Sequence, residues 1–342
     1  MSWRIAINGF GRIGRCVARA LYERGLQERL QLVAINELAN APTIHYLTRF
    51  DSNHGRFPGQ VDLDDERLVI DGQSIQLSHN SDATALDWRS HEIDLVLECT
   101  GQLSDRPGIS AHLHAGAERV LVSQPATPDL DATLVFGINE ADLKPDHQLV
   151  SAASCTTNCV VPVIKLLDDE LGIEAGVIST IHSAMNDQPV LDSYHHTDLR
   201  KTRGALHAVI PIDTGLAAGI GRILPSLAGR FEAQALRVPV SNVSCMDLSL
   251  MLRRDTTVEE LNAVLRAGVE RFPPGVLGYT AEPLASCDFN HDARSGIIDS
   301  SQTRLAGRRL AKVLVWFDNE WGYANRMLDV ALYWQNLCQQ SE

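Results

Sequence analysis

The feature that most constrains the fold is Gly9-x-Gly11-x-x-Gly14, set within Ile5-Ala-Ile-Asn-Gly-Phe-Gly-Arg-Ile-Gly14. An apolar strand runs straight into it, and a helical run, Arg15 to Arg24, leaves it. Glycines at this spacing allow a tight turn and close backbone approach to a ligand. The turn, with Arg12 and Ile13 in it, and the helix start behind it offer unpaired N–H groups that suit a pyrophosphate. Alone the triplet is weak, because glycines mark turns more often than phosphates; the strand before and the helix after give it weight. A second strand, Gln31-Leu-Val-Ala-Ile35, ends at Asn36-Glu37. An acid there is placed to accept from the adenine ribose hydroxyls and to repel a 2′-phosphate, so NAD is expected rather than NADP. The plainer alternative is that Glu37 only solvates a strand end.

The alternation continues through the first half. Asp94-Leu-Val-Leu-Glu-Cys-Thr-Gly101 is an apolar strand, Arg119-Val-Leu-Val122 another that ends at Ser123, and Thr133-Leu-Val-Phe136 a third. Short Val/Leu runs separated by helical segments imply a parallel sheet whose ligand site lies outside the carboxyl ends of its strands. Thr100, Gly101 and Ser123 therefore fall on the cofactor side. Longer strands follow, Glu232 to Val238, Ser244 to Leu252 and Arg309 to Trp316, and suggest an antiparallel-leaning sheet in a second domain. The expected fold class is α/β. A Rossmann-type NAD-binding domain with a parallel sheet covers residues 1–154 and is completed by a C-terminal helix within residues 319–342. An α+β catalytic domain with a largely antiparallel sheet covers residues 155–318. The long polar segment between His182 and Pro211 is expected to be an ordered functional loop, and Trp321 to Cys338 has helical periodicity.

A chain of 342 residues is long enough for two domains with their own cores. The net charge of −13 argues against a general nucleic-acid or acidic-membrane surface, though it leaves room for a local basic pocket. The apolar runs are too short for a transmembrane helix, and Ser2-Trp-Arg leads directly into a strand rather than a secretory signal. Seven cysteines, without a CxxC pair, read as free thiols in a reducing cytoplasm. The 12 histidines form no HExxH or Cys/His cluster, so no metal site is expected.

The second informative stretch is Ser151-Ala-Ala-Ser-Cys-Thr-Thr-Asn-Cys159, with His182 lying 27 residues beyond Cys155. Cysteine is a nucleophile as the thiolate, and a helix N-terminus or an adjacent imidazole lowers its pKa. Ser154 can serve as an N-cap, Val160 to Glu170 reads as the helix behind it, and the strand Gly176 to Ile181 can return His182 to the sulfur. One cysteine among seven can also be a buried thiol with no chemistry.

Together these residues carry a resemblance over essentially the full length. Asn8-Gly-Phe-Gly-Arg-Ile-Gly-Arg15, Ser154-Cys-Thr-Thr-Asn158, Arg237-Val-Pro with Asn242-Val-Ser244, and Trp316-Phe-Asp-Asn-Glu-Trp-Gly-Tyr323 resemble the glyceraldehyde-3-phosphate dehydrogenase superfamily. Asn36-Glu37, His182-Ser-Ala-Met-Asn-Asp-Gln188, Glu282-Pro-Leu284 and Cys287-Asp-Phe-Asn-His-Asp292 are most similar to its erythrose-4-phosphate branch. The resemblance implies that Cys155 attacks an aldehyde, that His182 lowers the thiol pKa and then accepts the hydroxyl proton, and that a thioester remains on Cys155. It implies Asn319 as the residue orienting the nicotinamide carboxamide, with Tyr323 nearby. Phosphate would release an acyl phosphate. In the erythrose-4-phosphate branch water releases 4-phosphoerythronate, on the route to pyridoxal phosphate.

Two anion positions are implied as well. Ser154, Thr156, Thr214 and Gly215 would form one; Arg237 and a threonine three residues after the catalytic histidine would form the other. That threonine position is Met185, whose thioether has no O–H to donate. Gly215 is the partner to Thr214 typical of the glycolytic enzyme, and Ala152 stands where the superfamily commonly has asparagine. Arg200-Lys201-Arg203 reads by default as a solvated loop face; the loop's family role implies a homotetramer. The expected activity is NAD-dependent oxidation of a phosphorylated sugar aldehyde, erythrose 4-phosphate first. The alternatives are a phosphorylating triose enzyme and a catalytically silent NAD-binding scaffold.

Overall fold

The computed structural model of the chain describes residues 2–195 and 198–340. His196 and Thr197 of the expected functional loop, and residues 341–342 of the expected C-terminal segment, lie outside the described residues. The chain divides into two compact units, Met1–Ser154 with Ala324–Glu342, and Cys155–Tyr323.

In the first unit the order is β1 (Trp3–Asn8), α1 (Arg12–Glu23), β2 (Leu30–Asn36), α2 (Ala41–Arg49), β3 (Phe50–Asp51), β4 (Gly55–Arg56), β5 (Val61–Asp64), β6 (Arg67–Ile70) and β7 (Gln73–Ser78). Then come β8 (Leu95–Glu98), α3 (Arg106–His114), β9 (Arg119–Val122), β10 (Ala132–Thr133) and β11 (Leu149–Ser151). One sheet runs β10-β11-β9-β8-β1-β2-β7-β6-β5. Pairing is parallel from β10 to β7 and antiparallel from β7 to β5. The chain leaves β1 for β2 on one side and later returns to β8 on the other, so β1 marks the switch point beyond whose carboxyl end a ligand crevice opens. β1, β2 and β8 are buried almost throughout, which is why they read as continuous apolar runs. The β5–β7 meander alternates buried and exposed residues, as edge strands with one wet face do.

The strand expected at Thr133–Phe136 stops at Thr133. The Asn139 side chain ends it, accepting from the Val135 N–H at 2.8 Å and donating to the Thr133 carbonyl at 2.9 Å. Those two backbone groups are satisfied locally, so after the Leu134 N–H bonds the Ser151 carbonyl at 2.8 Å the pairing goes no further.

The second unit holds α4 (Cys155–Leu171), β12 (Ile173–His182), β13 (Ile210–Ile212), α5 (Leu216–Ile223), β14 (Phe231–Arg237), β15 (Ser244–Leu252), α6 (Val258–Val269), β16 (Leu277–Thr280), β17 (Gly296–Ala306) and β18 (Leu310–Phe317). Its sheet runs β13-β14-β12-β15-β18-β17-β16. It is mostly antiparallel; only β12–β14 and β16–β17 are parallel. β14, β15 and β18 alternate in burial, so each shows one face to the core. α7 (Trp321–Gln339) follows β18, and the Asp318 carboxylate receives the Glu320 and Trp321 N–H groups at its start, at 3.0 and 2.8 Å.

Candidate active site

The first unit builds a cleft of about 590 Å³ over the switch point, and Gly9, Gly11, Glu37 and Thr100 line it. Gly9 has φ +86°, and a Cβ there would lie 2.6 Å from the Thr100 nitrogen. A Cβ at Gly14 would lie 2.2 Å from the Gly9 carbonyl oxygen, so helix and turn touch backbone to backbone. At Gly11 the same atom would meet nothing within 4 Å, because that position faces the open cleft. α1 begins here with Gly11 as its N-cap, no capping side chain and no acid in its first turn. Helices α2, α3 and α6, by contrast, are each closed by an Asn, Asp or Thr. An uncapped start over a glycine opening fits a dinucleotide pyrophosphate.

Glu37 accepts from the Phe10 N–H at 2.8 Å and from Leu38 at 2.7 Å. Its carboxylate is thereby fixed beside the glycine turn, where ribose hydroxyls would reach it. Arg12 forms a two-pronged pair with Asp51. Gly14 is buried, and Arg12, Ile13, Gly101 and Ser123 do not line the cleft. Sequence reasoning missed Leu38, Asn80, Thr84, Gln102 and Leu103, which do; they sit in the segments that follow β2, β7 and β8, Thr84 within a short 3-10 helix, with no motif of their own.

In the second unit Cys155 is the first residue of α4, and the backbone N–H groups of Thr156 and Cys155 bond its sulfur. The depressed thiol expected from that position and from His182 is not what the structure gives. Burial raises the thiol to about 11, aided by the Asp318 and Glu320 carboxylates, and the two N–H bonds do not offset it. The residue keeps partial surface exposure, but the surroundings of its sulfur are packed.

His182 ends β12 and is buried. Its Nδ1 lies 2.8 Å from the Ser183 carbonyl. A carbonyl can only accept, so Nδ1 carries the proton and Nε2 keeps its lone pair. Burial, with Arg237 behind it, lowers the imidazole pKa despite the Ser183 carbonyl, Asp187 and Glu320. The ring packs edge-on against Phe317. Glu320 acts electrostatically on both Cys155 and His182. At rest Cys155 is therefore a neutral thiol and His182 a neutral base.

Asn319 is buried, and its Oδ1 accepts from the Ser183 and Ser244 hydroxyls at 3.0 and 2.8 Å, which fixes which way the amide points. Tyr323 is buried in the first turn of α7. Thr156 is partly exposed in the first turn of α4, directly after Ser154-Cys155. Thr214 and Gly215 stand at the start of α5, where the Leu216 N–H bonds the Thr214 hydroxyl at 3.3 Å. α5 packs on α4 at Gly219, where a Cβ would lie 3.1 Å from the Thr157 hydroxyl.

Arg237 ends β14 opposite His182. Its fork is held on both sides by Asp187, with the Nη2–Oδ2 distance 3.1 Å. Lys201 also reaches Asp187, at 3.0 Å, and Arg203 pairs with Asp192 at 3.0 Å, so two of the loop's three basic residues are tied to its acids. Asp187 was missed in the sequence, although it lies five residues after His182 in the same motif.

A parallel sheet with an uncapped glycine turn at its switch point defines a dinucleotide-binding protein. Two family models match the sequence: glyceraldehyde 3-phosphate dehydrogenase, NAD binding domain, over residues 3–106, and glyceraldehyde 3-phosphate dehydrogenase, C-terminal domain, over residues 154–319. The protein is an NAD-binding dehydrogenase of the glyceraldehyde 3-phosphate dehydrogenase family. Among the described residues no helix is long and apolar enough to cross a membrane.

Proposed function

We propose that the protein oxidises D-erythrose 4-phosphate to 4-phospho-D-erythronate, as a D-erythrose-4-phosphate dehydrogenase does, through a thioester on Cys155 that water hydrolyses. His182 Nε2 takes the thiol proton as sulfur attacks the aldehyde carbon and returns it to the new oxygen, giving a thiohemiacetal. The Cys155 N–H and the His182 ring donate to that oxygen as charge develops. When NAD is bound, its nicotinamide supplies the hydride acceptor. As hydride leaves the carbon, Nε2 takes the hydroxyl proton and the thioester forms. Nε2 then gives that proton up to solvent; water adds to the acyl carbon with the freed Nε2 as base, and the proton so gained passes to the sulfur as the thiol leaves. Asn319 and Tyr323 would orient the nicotinamide; Ser154, Thr156, Thr214, Gly215 and Arg237 would face substrate oxygens. The same reading takes the assembly as a cytoplasmic homotetramer acting on a small phosphorylated aldehyde, with neither nucleic acid nor membrane as partner.

The observation that carries the substrate choice is Met185, which is 47% exposed and puts a thioether where a phosphate-binding hydroxyl would stand. Losing that bond would weaken a triose phosphate by about 1.5–3 kcal/mol. Gly215 favours the second reading, a phosphorylating triose enzyme, because a Cβ there would meet nothing within 4 Å and the start of α5 stays open to an anion. NADH production from erythrose 4-phosphate and from glyceraldehyde 3-phosphate, each with and without inorganic phosphate, separates the two. The proposal expects faster turnover of the four-carbon sugar with no need for phosphate. A strict phosphate requirement with preference for the triose would establish the second reading.

A further inference from the structure

The walls of the cofactor cleft include the glycine turn after β1, the segment after β7, the turn after β8, and α3. Hydrogen bonds lead from each of them to one carboxylate, Glu98 at the end of β8, which is 1% exposed and has no part in the proposed chemistry. Its Oε1 accepts from the Thr100 N–H at 2.8 Å and from the Thr100 hydroxyl. Its Oε2 accepts from Asn8 Nδ2 at 2.6 Å and from His112 Nε2 of α3 at 2.9 Å. Asn8 Oδ1 in turn holds Asn36 Nδ2 at 2.7 Å, and Asn36 Oδ1 holds the Asn80 N–H at 2.9 Å. Asn8, Asn80 and Thr100 line the cleft, as does Ala111, the neighbour of His112.

The direction of this network cannot be reversed, because its outer ends are groups that can only donate. The Asn80 backbone N–H fixes Asn36 Oδ1 as acceptor, so Asn36 donates to Asn8 and Asn8 donates to Glu98. The Trp88 indole N–H, 3.0 Å from His112 Nδ1, makes that nitrogen the acceptor, so the ring's one N–H faces Glu98. The Thr100 N–H is a third fixed donor. Both oxygens of Glu98 therefore meet donors, and of the side chains of this length only an ionised carboxylate accepts at both ends. A glutamine turned either way sets its NH2 against a donor, and a buried donor without an acceptor moves or stays unsatisfied at a cost. We propose that Glu98 is a positioning residue for the dinucleotide, the single acceptor to which the glycine turn, the Thr100 turn, α3 and the segment after β7 are keyed. The proposal rests on NAD as cofactor and not on which aldehyde is oxidised.

The test is calorimetric titration of NAD into the whole protein without aldehyde. Glu98→Gln keeps the volume and is expected to raise the Kd for NAD about tenfold or more, the size of one lost hydrogen bond to a charged group. Glu98→Asp loses a methylene but keeps two accepting oxygens, so it is expected to bind NAD more tightly than Glu98→Gln does. A residue that only fills space would give the opposite order. Val120→Ala, a fully buried position on β9 of the same sheet, loosens the core without touching the network and is expected to keep its Kd within about twofold of wild type. If Glu98→Gln does not fold, His112→Leu takes its place: it lines no part of the cleft, removes one donor to Glu98, and is expected to weaken NAD several-fold. A Kd within about twofold of wild type in whichever of these two folds would overturn the proposal. So would tighter binding by Glu98→Gln than by Glu98→Asp, or a loss in Val120→Ala as large as in the network variant. A wrong sugar would show only in the NADH assay and leave these titrations untouched.

Discussion

At Cys155 the sequence motif and the environment pull in opposite directions. The motif places the sulfur at a helix start, and the two N–H bonds it receives there do favour the thiolate. Burial and two carboxylates from the Asp318-Asn-Glu320 turn outweigh them. Position in a helix was legible; the arrival of Asp318 and Glu320 from more than 150 residues away was not. The consequence is measurable. With a thiol near 11, the thiolate fraction rises with pH throughout the neutral range, so alkylation of Cys155 in the NAD-free protein should speed up about tenfold per pH unit from 7 to 10. A plateau between pH 6 and 7 would instead reveal a thiolate–imidazolium pair. A silent scaffold would share the raised thiol, so turnover must decide against it. His182→Asn should lower turnover by about 10²–10⁴-fold, because the buried Nε2 base is lost while Phe317 keeps its neighbour.

The elements of the first unit are joined at their carboxyl ends by side chains that no local pattern announces. Asn36 of β2 donates to Asn8 of β1 at 2.7 Å, and Asn8 donates to Glu98 of β8 at 2.6 Å. Glu98 also receives the Thr100 N–H at 2.8 Å and the His112 Nε2–H at 2.9 Å, and Trp88 donates to His112 Nδ1 at 3.0 Å. Since Nδ1 accepts, the imidazole is the neutral Nε2–H form. The ladder ties Thr100, a cleft residue, to three strands. Strand pairing brings Asn8 level with Asn36 and Glu98, and single-sequence reading locates each strand without its register. Desolvation opposes the charge on Glu98, but bonds from His112, Thr100 and Asn8 prevail and hold its carboxyl below the ordinary value. The folded state therefore binds this proton less readily than the unfolded one. The resulting stability is present above the unfolded carboxyl pKa of about 4.3 and is lost as pH falls through the folded one. Glu98→Gln should cost about 2–4 kcal/mol in urea denaturation at pH 7, and the gap from wild type should narrow below about pH 4. A gap unchanged by acidification would mean that the charge contributes nothing.

For the whole molecule, the two-sheet design was legible because its two halves differ in texture. Short runs buried on both faces spell parallel strands, and longer alternating ones spell an antiparallel sheet. The β5–β7 edge was not read, since its Asp- and Arg-rich strands look like loop until their alternation is paired across a turn. The chain matches an NAD binding domain and a C-terminal domain of one dehydrogenase family, and the C-terminal match carries Cys155 and His182; the proposed function adds an acyl group that rests on Cys155 between hydride loss and release. The most direct measurement is the intact mass of the protein, acid-quenched within one turnover after mixing with NAD and erythrose 4-phosphate in phosphate-free buffer. The account predicts an added phosphoerythronoyl group on Cys155 that decays with time, and none on the Cys155→Ser variant. NADH formed with no adduct at any time, or an adduct that persists until inorganic phosphate is added, would contradict it.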